Sequence, residues 1–301
     1  MLVDPGLVLV ALGLGAETPY EIEPFGETPG APVRFVAGGR VVVVRRPFDG
    51  TAAMNHAAVS EALANAGFGQ MPRLVGFAAD ATIEEEAAGA TALQLVPPAG
   101  SAEAAMTALA ALHSLPVAEG LDWGLAPGDL FPDEEFPLHR LGFAADERDA
   151  AREPLAEARR ALLASPFGFA HRDATAANVL LGQGQAWLAN FGSAGYGPQL
   201  LDVAAFLLTS GLEAAGRRVL AMGYGRARGA DPEETADLVD LLGLLWGMGE
   251  LLGLPRRLIE TLGDDGSTAA LRLAASRIDA GMRSEAGVSP VARGIRRALW
   301  G

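Results

Sequence analysis

The segment His171–Phe206 reads HRDATAANVLLGQGQAWLANFGSAGYGPQLLDVAAF and carries the most informative polar pattern in this 301-residue chain. Asp173 follows His171 in an H-x-D arrangement, and Asn178 comes five residues after Asp173. An N-F-G triplet begins at Asn190, twelve residues after Asn178. The apolar runs 179–181 and 186–188 between them are typical of short strands. The segment is therefore predicted to be a loop followed by a hairpin.

This spacing is the layout of a phosphoryl-transfer centre. In such a loop the histidine supports the backbone, the aspartate accepts a hydroxyl proton and the asparagine binds metal. An acid at the position of Asn190 would hold the main Mg²⁺ ion, but an amide oxygen brings no negative charge to that cation. Two interpretations stay open: an enzyme with a weakened metal site, or a protein that keeps the pocket and has lost the chemistry.

With these residues the chain resembles the aminoglycoside phosphotransferase / choline kinase-like family over about residues 5–215. Asp202-Val203-Ala204 matches the family's D-L-A, and the segment 109–113 matches its L-A-x-L-H. The resemblance implies an α+β, bilobal, protein-kinase-like fold. It predicts an N-lobe of a small antiparallel sheet plus one helix over residues 1–88, and a mostly helical C-lobe over 89–301. The hinge is expected at about 87–99.

The resemblance also implies the roles of the site residues. Asp173, His171 and Asn178 are the expected catalytic residues, and Asn178 and Asn190 are the expected metal ligands. Asp202 is expected to brace the catalytic loop. ATP and Mg²⁺ are the implied cofactors.

Arg45 closes the strand 40–45 and falls where the family places the cation that orients the nucleotide phosphates. Arginine keeps the charge but is longer and forked, so it is not equivalent to lysine. The acid that pairs with this cation is expected on the next helix, where alignment gives Asn55 and His56, with Glu61 as a second candidate. His56 is more simply interpreted as a surface or half-buried spacer on that alanine-rich helix.

The expected adenine contact lies at the end of the sheet. Residues 84–89 read EEEAAG and resemble the family's M-E-x-x-x-G, in which backbone groups after the acid bind the adenine edge. Glu86 and Ala88 are the nucleotide-contacting residues on this alignment. The phosphate-covering loop 25–32 contains two prolines, which lack the N–H groups that would cradle phosphate.

Acids in the C-terminal half resemble the acidic acceptor cleft of aminoglycoside kinases, although they fit solvated helix faces equally well. They are Asp129, Asp133, Glu134, Glu135, Asp231, Glu233, Glu234, Asp237 and Asp240.

Local patterns predict the remaining elements. Strands are expected at 20–25, 33–36, 40–45, 73–77 and 81–85, and helices at 7–16 and 51–66. Ser101 is the predicted N-cap of a helix that ends at His113. Asp231-Pro232 predicts another helix start, with that helix ending near Gly253 and Pro255.

Composition limits the partners. The chain has 37 acidic and 23 basic residues, a net charge of −14, which disfavours nucleic acids and anionic membranes as partners. All 23 bases are arginine, so no lysine contacts a phosphate, and the absence of cysteine excludes disulfides and thiol chemistry. No membrane span or targeting segment is predicted, and a cytoplasmic location is expected.

Three functions remain open at this stage. The first is ATP-dependent phosphorylation of a hydroxyl on a small-molecule substrate. The second is a pseudokinase that binds a nucleotide or small ligand and acts through a protein partner. The third is a kinase-like enzyme that phosphorylates a peptide Ser or Thr in a natural-product pathway. Family membership constrains the fold far better than the substrate.

Overall fold

The structure is a computed structural model that describes residues 4–24, 32–45, 50–78, 81–87, 89–116, 138–260, 265–285 and 289–300. The phosphate-covering loop 25–31, the hinge residue Ala88 and the acids Asp129, Asp133, Glu134 and Glu135 lie outside the described residues.

The N-terminal part is a five-stranded antiparallel sheet in the order β1-β2-β3-β5-β4. Gly38 and Gly39 both have positive φ and form the β2–β3 hairpin turn, which glycine adopts without a Cβ clash. A short helix, α1, covers one face and packs its Val8 and Leu9 against Phe35. The elements are α1 Pro5–Ala11, β1 Tyr20–Pro24, β2 Val33–Ala37, β3 Arg40–Arg45, α2 Gly50–Asn65, β4 Leu74–Ala78 and β5 Ala81–Glu85.

The sheet and α1 enclose one hydrophobic core, and the C-terminal part is built mainly of helices that pack around a second, larger one. Strands β6, β8 and β9 form one small antiparallel sheet, and β7 pairs with β10 in another. The elements are β6 Ala90–Thr91, α3 Ala99–His113, α4 Ala145–Ala164, β7 Phe167–Ala170, β8 Val179–Gly182, β9 Gln185–Leu188, β10 Gly195–Pro198, α5 Gln199–Thr209, α6 Ala214–Ala227, α7 Pro232–Glu260, α8 Asp265–Arg283 and α9 Pro290–Trp300.

The chain leaves the N-terminal sheet after Glu85 and enters the C-terminal sheet at Ala90, where β6 pairs with β8. The domain boundary at 88/89 stays a prediction. Within the expected hinge the structure adds the short strand β6, which the sequence did not indicate.

Three predicted helix ends are wrong. Helix α1 ends at Ala11 and not at residue 16, because Gly13 takes a left-handed conformation with φ 68° and its N–H donates to the Val10 carbonyl at 2.9 Å. Helix α3 begins at Ala99, because the carbonyl of Pro98 accepts from the N–H groups of Ser101 and Ala102, so Ser101 is not the cap. Helix α7 continues beyond Pro255 to Glu260, where the guanidinium of Arg257 donates to the Glu250 carbonyl at 2.8 Å. The predicted start of α7 is confirmed, since Asp231 Oδ1 accepts from the N–H of Glu234 at 2.8 Å.

Helix α7 also passes the length and composition test for a membrane span over Pro232–Ile259. Half of its most apolar window is buried within the protein, and the helix contacts α4, α5, α6 and α8. Burial against several helices is typical of a core helix.

A buried ion pair joins α9 to α7. The guanidinium of Arg296 donates from Nη1 to Asp240 Oδ2 at 2.7 Å and from Nε to the Met282 carbonyl at 2.9 Å. Both charged residues are buried. Breaking such a pair leaves an uncompensated buried charge, whereas replacing both partners removes the charge altogether.

We expect Asp240→Leu to lower the free energy of unfolding by about 3–5 kcal/mol, and Asp240→Leu combined with Arg296→Met to recover most of that loss. Urea unfolding followed by circular dichroism measures both. A double variant as unstable as the single one would show that the pair does not hold α9 in place.

Candidate active site

The catalytic loop is held by the buried carboxylate of Asp202, at the start of α5. Asp202 Oδ2 accepts from the N–H of His171 at 2.6 Å, and Oδ1 accepts from the N–H of Arg172 at 2.8 Å. Asp202 Oδ2 also lies 2.9 Å from His113 Nε2, and His113 Nδ1 lies 2.7 Å from the Tyr224 hydroxyl. The geometry matches the bracing role expected for Asp202.

His171 holds the turn from within. Its Nε2 donates to the Ala189 carbonyl at 2.9 Å, and its Nδ1 accepts from the N–H of Asp173 at 3.3 Å. Burial lowers the pKa of His171, which keeps the imidazole neutral with its proton on Nε2. His171 thus joins the Asp173 turn to the strand end that leads into Asn190.

The structure brings Asp173, Asn178 and Asn190 together. The amide nitrogen of Asn178 donates to the Asp173 carbonyl and to Asp173 Oδ2, each at 2.8 Å. The amide nitrogen of Asn190 donates to Asn178 Oδ1 at 3.3 Å. Asn190 has φ 68° and ψ 60°, a left-handed conformation that asparagine tolerates better than most residues.

These residues are a poor match for Mg²⁺. The Asn178 oxygen expected to bind metal is used by the Asn190 amide, so the two candidate ligands bond to each other. Within the described ranges, no group of three or more His, Asp or Glu residues could hold a metal ion. Mg²⁺ normally takes one or two carboxylates in addition to substrate phosphates. The protein offers uncharged oxygens here, with Asp173 as the adjoining carboxylate.

Arg45 has its counter-charge in Glu84, on the neighbouring strand β5. Arg45 Nε lies 3.6 Å from Glu84 Oε2, and His56 Nε2 lies 3.0 Å from Glu84 Oε1. Burial by itself raises the pKa of Glu84, but Arg45 and His56 more than offset this and hold the pKa below its ordinary value. The prediction that α2 supplies the acid for Arg45 is therefore wrong, and Glu61 is exposed on that helix.

His56 is buried, which corrects its interpretation as a surface or half-buried spacer. Its Nδ1 accepts from the N–H of Phe191 at 3.0 Å, directly after Asn190. The amide of Asn55 donates to the carbonyls of Gly192 at 2.9 Å and Ala194 at 3.0 Å. Helix α2 thus contacts the N-F-G segment through two consecutive side chains. The sequence pattern of the helix did not predict this contact.

The predicted adenine contacts remain predictions. Glu86 lies just beyond the end of β5, and its carboxylate accepts from Arg34 Nε at 2.8 Å. That ion pair leaves the Glu86 side chain facing β2, which is compatible with a role for the backbone alone. Ala88 lies outside the described residues.

A cavity of about 510 Å³ opens beside Asp173, Asn178 and Asn190. Its far wall comes from α7 and α8 and is mainly apolar. Glu250 and Arg257 are the charged residues of that wall, and Arg257 Nη1 lies 2.6 Å from Glu250 Oε2. The apolar side chains are Leu93, Trp246, Leu251, Leu254, Leu271 and Ile278.

Of the five described acids predicted for an acceptor cleft, four have structural roles. Asp231 caps α7, Glu233 and Asp237 pair with Arg218, and Asp240 pairs with Arg296. Among the charged residues that line the described cavity, the sequence pointed to Asp173 but not to Glu250 or Arg257. Arg257 lies beyond the predicted end of α7, and Glu250 lies inside the predicted helix without a motif that marks it.

Burial raises the pKa of Asp173 to about 7, and the nearby carboxylate of Glu250 adds to the rise. The hydrogen bond from Asn178 works in the opposite direction. A carboxylate whose pKa lies near neutrality is well suited to take a proton from a hydroxyl and to release it afterwards.

A family model described as the phosphotransferase enzyme family matches residues 22–238 of the chain. The chain belongs to this family. The match covers the sheet, helix α2 and the whole catalytic segment, so it confirms the resemblance that the H-x-D and N-F-G residues suggested. Among curated proteins, no sequence matches the chain significantly.

Solved structures with the same fold include kinases and aminoglycoside phosphotransferases. A choline/ethanolamine kinase family protein from Mesorhizobium loti has a TM-score of 0.60 at 20% identity, covering 99% of this chain and 100% of its own. The gentamicin complex of APH(2'')-IIa has a TM-score of 0.60 at 16% identity, covering 90% and 93%. ADP-bound aminoglycoside phosphotransferase APH(2'')-Ib has a TM-score of 0.57 at 17% identity, covering 86% and 94%. These likenesses confirm the kinase-like fold.

The raised pKa of Asp173 predicts a stability effect with a definite sign. A carboxyl group whose folded-state pKa exceeds its unfolded value stabilises the fold when protonated, and that contribution is lost as pH rises towards 7. We expect Asp173→Asn to raise the Tm by about 2–4 °C at pH 8 and by less at pH 5. Thermal unfolding at the two pH values measures it; an equal shift at both would contradict the raised pKa.

Asn190→Asp should place a negative charge at the expected metal position of the site. We expect wild-type ADP affinity to change by less than about threefold when Mg²⁺ is added, and that of the variant by about tenfold or more, since magnesium favours carboxylate oxygen. Calorimetric titration with ADP, with and without a chelator, measures both. Asn65→Asp at the exposed end of α2 is the matched control. Strong Mg²⁺ dependence in the wild type would contradict the weak metal site.

Proposed function

We propose that this phosphotransferase transfers the γ-phosphoryl group of ATP to a hydroxyl of a small molecule. The observation that supports this most directly is Asp173, whose pKa is raised to about 7 beside a cavity large enough for a small-molecule acceptor. ADP-bound and ATP-bound relatives of the same fold support the choice of nucleotide.

In the proposed reaction the acceptor hydroxyl lies in the cavity next to Asp173. Its oxygen forms a bond to the γ-phosphorus as the bond to the β-phosphate oxygen breaks, and ADP leaves. The hydroxyl proton passes to the Asp173 carboxylate, which Asn178 keeps in place through its amide. Arg45 orients the phosphates as a fixed cation, held by Glu84. Positioning and charge account for most catalysis of this kind.

The cavity favours an acceptor with an apolar body and no net charge. Among its described wall residues, Glu250 and Arg257 neutralise each other. A polycation would compete with Arg257 for Glu250, the carboxylate that the described part of this wall supplies, and an anion would leave Glu250 without its partner. A neutral or zwitterionic hydroxyl compound leaves the charges balanced while it covers the apolar side chains of α7 and α8.

A pseudokinase is the second candidate, and one specific contact favours it. The Asn190 amide occupies the Asn178 oxygen that a metal would need, which stabilises the site without a cation. In that case the pocket would bind a nucleotide or small ligand and act through a protein partner.

The test is ADP release from ATP, with panels of neutral, zwitterionic and polycationic hydroxyl compounds. We expect turnover with a neutral or zwitterionic acceptor and at least a hundredfold loss in Asp173→Asn, which removes the proton acceptor. Below pH 7 the wild-type kcat/KM should fall by about tenfold per pH unit, as Asp173 becomes protonated.

Other outcomes distinguish the candidates. Nucleotide binding without turnover on any acceptor, in both the wild type and Asn190→Asp, would support the pseudokinase. Best activity on gentamicin or another polycation would contradict the proposed acceptor class while confirming phosphoryl transfer.

A further inference from the structure

We propose that His56 is a positioning residue that couples Arg45 to the N-F-G segment, with strand β5 rather than helix α2 supplying the acid that orients Arg45. The inference rests on the proposed function, because Arg45 is assigned there to the nucleotide phosphates. It goes further by connecting the phosphate-orienting cation with the residue beside the metal position.

The contacts form a continuous path. Arg45 on β3 lies 3.6 Å from Glu84 Oε2 on β5, and Glu84 Oε1 lies 3.0 Å from His56 Nε2 on α2. His56 Nδ1 accepts from the N–H of Phe191 at 3.0 Å. Since Nδ1 is an acceptor in this contact, the neutral imidazole carries its proton on Nε2, facing the carboxylate.

The two sides of this path depend on each other because Glu84, which lies between them, is almost fully buried, with 1% of its surface exposed. A buried carboxylate is strongly unfavourable unless its charge is compensated. In the described part of the chain one of its oxygens faces the Arg45 guanidinium, which supplies the compensating charge, and the other faces the His56 imidazole. A shift of either partner therefore changes the balance at Glu84 and alters the position of the other.

Side chains of helix α2 bind both N–H and carbonyl groups of the backbone in residues 191–194, at and just after the N-F-G triplet. Asn55 donates to the carbonyls of Gly192 and Ala194, while His56 accepts from the N–H of Phe191. A movement of α2 therefore carries Asn190 with it, and the same movement shifts the partner of Glu84. This is how the cation on the sheet and the amide at the metal position are coupled.

The two halves of the imidazole can be tested separately, because an Asn amide overlays the Nδ1 side of histidine and a Gln amide overlays the Nε2 side. His56→Asn retains the acceptor for Phe191 and loses the nitrogen that faces Glu84. His56→Gln does the reverse. If the side chain at position 56 only filled space, the two variants would have the same effect.

The readouts are ADP affinity by calorimetry and amide exchange of the Phe191 N–H by NMR. We expect His56→Asn to weaken ADP binding by about tenfold with Phe191 exchange unchanged. We expect His56→Gln to keep ADP affinity within about threefold and to speed Phe191 exchange by about tenfold or more. Glu61→Gln, exposed on the same helix, is the control that should alter neither.

A charge-relocation cycle tests the acid itself. Glu84→Gln removes it, His56→Glu places a second carboxylate beside it, and the double variant transfers it to helix α2. We expect each single variant to weaken ADP binding by about tenfold and the double variant to recover to within about threefold of the wild type. Such recovery requires the carboxylate to act on Arg45 from either position, which general destabilisation cannot mimic. Thermal unfolding verifies that each variant is folded.

The outcomes separate this inference from the proposed function. A wild type that binds neither ATP nor ADP overturns the function, while Phe191 exchange still tests the His56 contact. Wild-type nucleotide binding with equal Phe191 exchange in His56→Asn and His56→Gln, or with a double variant no better than its weaker single, overturns the inference alone.

Discussion

The Asp202 carboxylate is the interaction on which the catalytic segment depends. It accepts from two consecutive backbone N–H groups, those of His171 and Arg172, and it lies next to His113. Arg172 has φ 63°, a left-handed conformation that is unfavourable for a residue with a Cβ. Two short, charge-assisted hydrogen bonds offset this strain and fix the turn that carries Asp173. Because Asp202 belongs to α5 and His113 to α3, the turn is fixed to the core helices of the C-terminal part.

The departures from the family pattern are concentrated on the nucleotide side of the site. The bracing network of Asp202, His113 and His171 is complete. Arg45, His56, Glu84 and Asn190 are the residues that differ, and the first three form one connected group. Within that group the balance of one cation and one carboxylate is retained, with imidazole as a neutral bridge. Among these described residues, Asn190 changes the charge of the site without compensation, so the pair proposed to orient the phosphates is preserved in kind while the expected metal position is not.

The sequence predicted the fold, and it predicted that Asp173, Asn178 and Asn190 lie together, because the information for both is local. The H-x-D, Asn178 and N-F-G residues lie within one segment whose spacing reflects a single loop and hairpin. Glu84 could not be predicted in the same way: its contact with His56 joins a strand to a helix 28 residues earlier, and a buried glutamate in a charged run looks like a solvated strand end. Arg257 was missed because Gly253 and Pro255 suggested that α7 ends before it, and Glu250 was missed because nothing in the sequence marks its part of the predicted helix as the wall of a cavity. The sequence also placed the N-cap of α3 at Ser101. The N-cap is Pro98, whose backbone carbonyl accepts from the first turn, and no side chain signals this in the sequence.

The amide at position 190 also affects the base. The site already holds the carboxylates of Asp173, Asp202 and Glu250, and both of the latter raise the pKa of Asp173. A further carboxylate at residue 190 would add to this repulsion unless a divalent cation were bound, and Asp173 would then be protonated at neutral pH. The neutral Asn190 avoids that effect and adds a hydrogen bond to Asn178, which in turn holds Asp173. Asparagine at position 190 therefore weakens the attraction for metal, while the pKa of Asp173 stays at about 7, as the proposed proton acceptor requires. The missing charge at the expected metal position and the near-neutral pKa of Asp173 are thus linked through one side chain, which fits the proposed transfer with a weak dependence on metal.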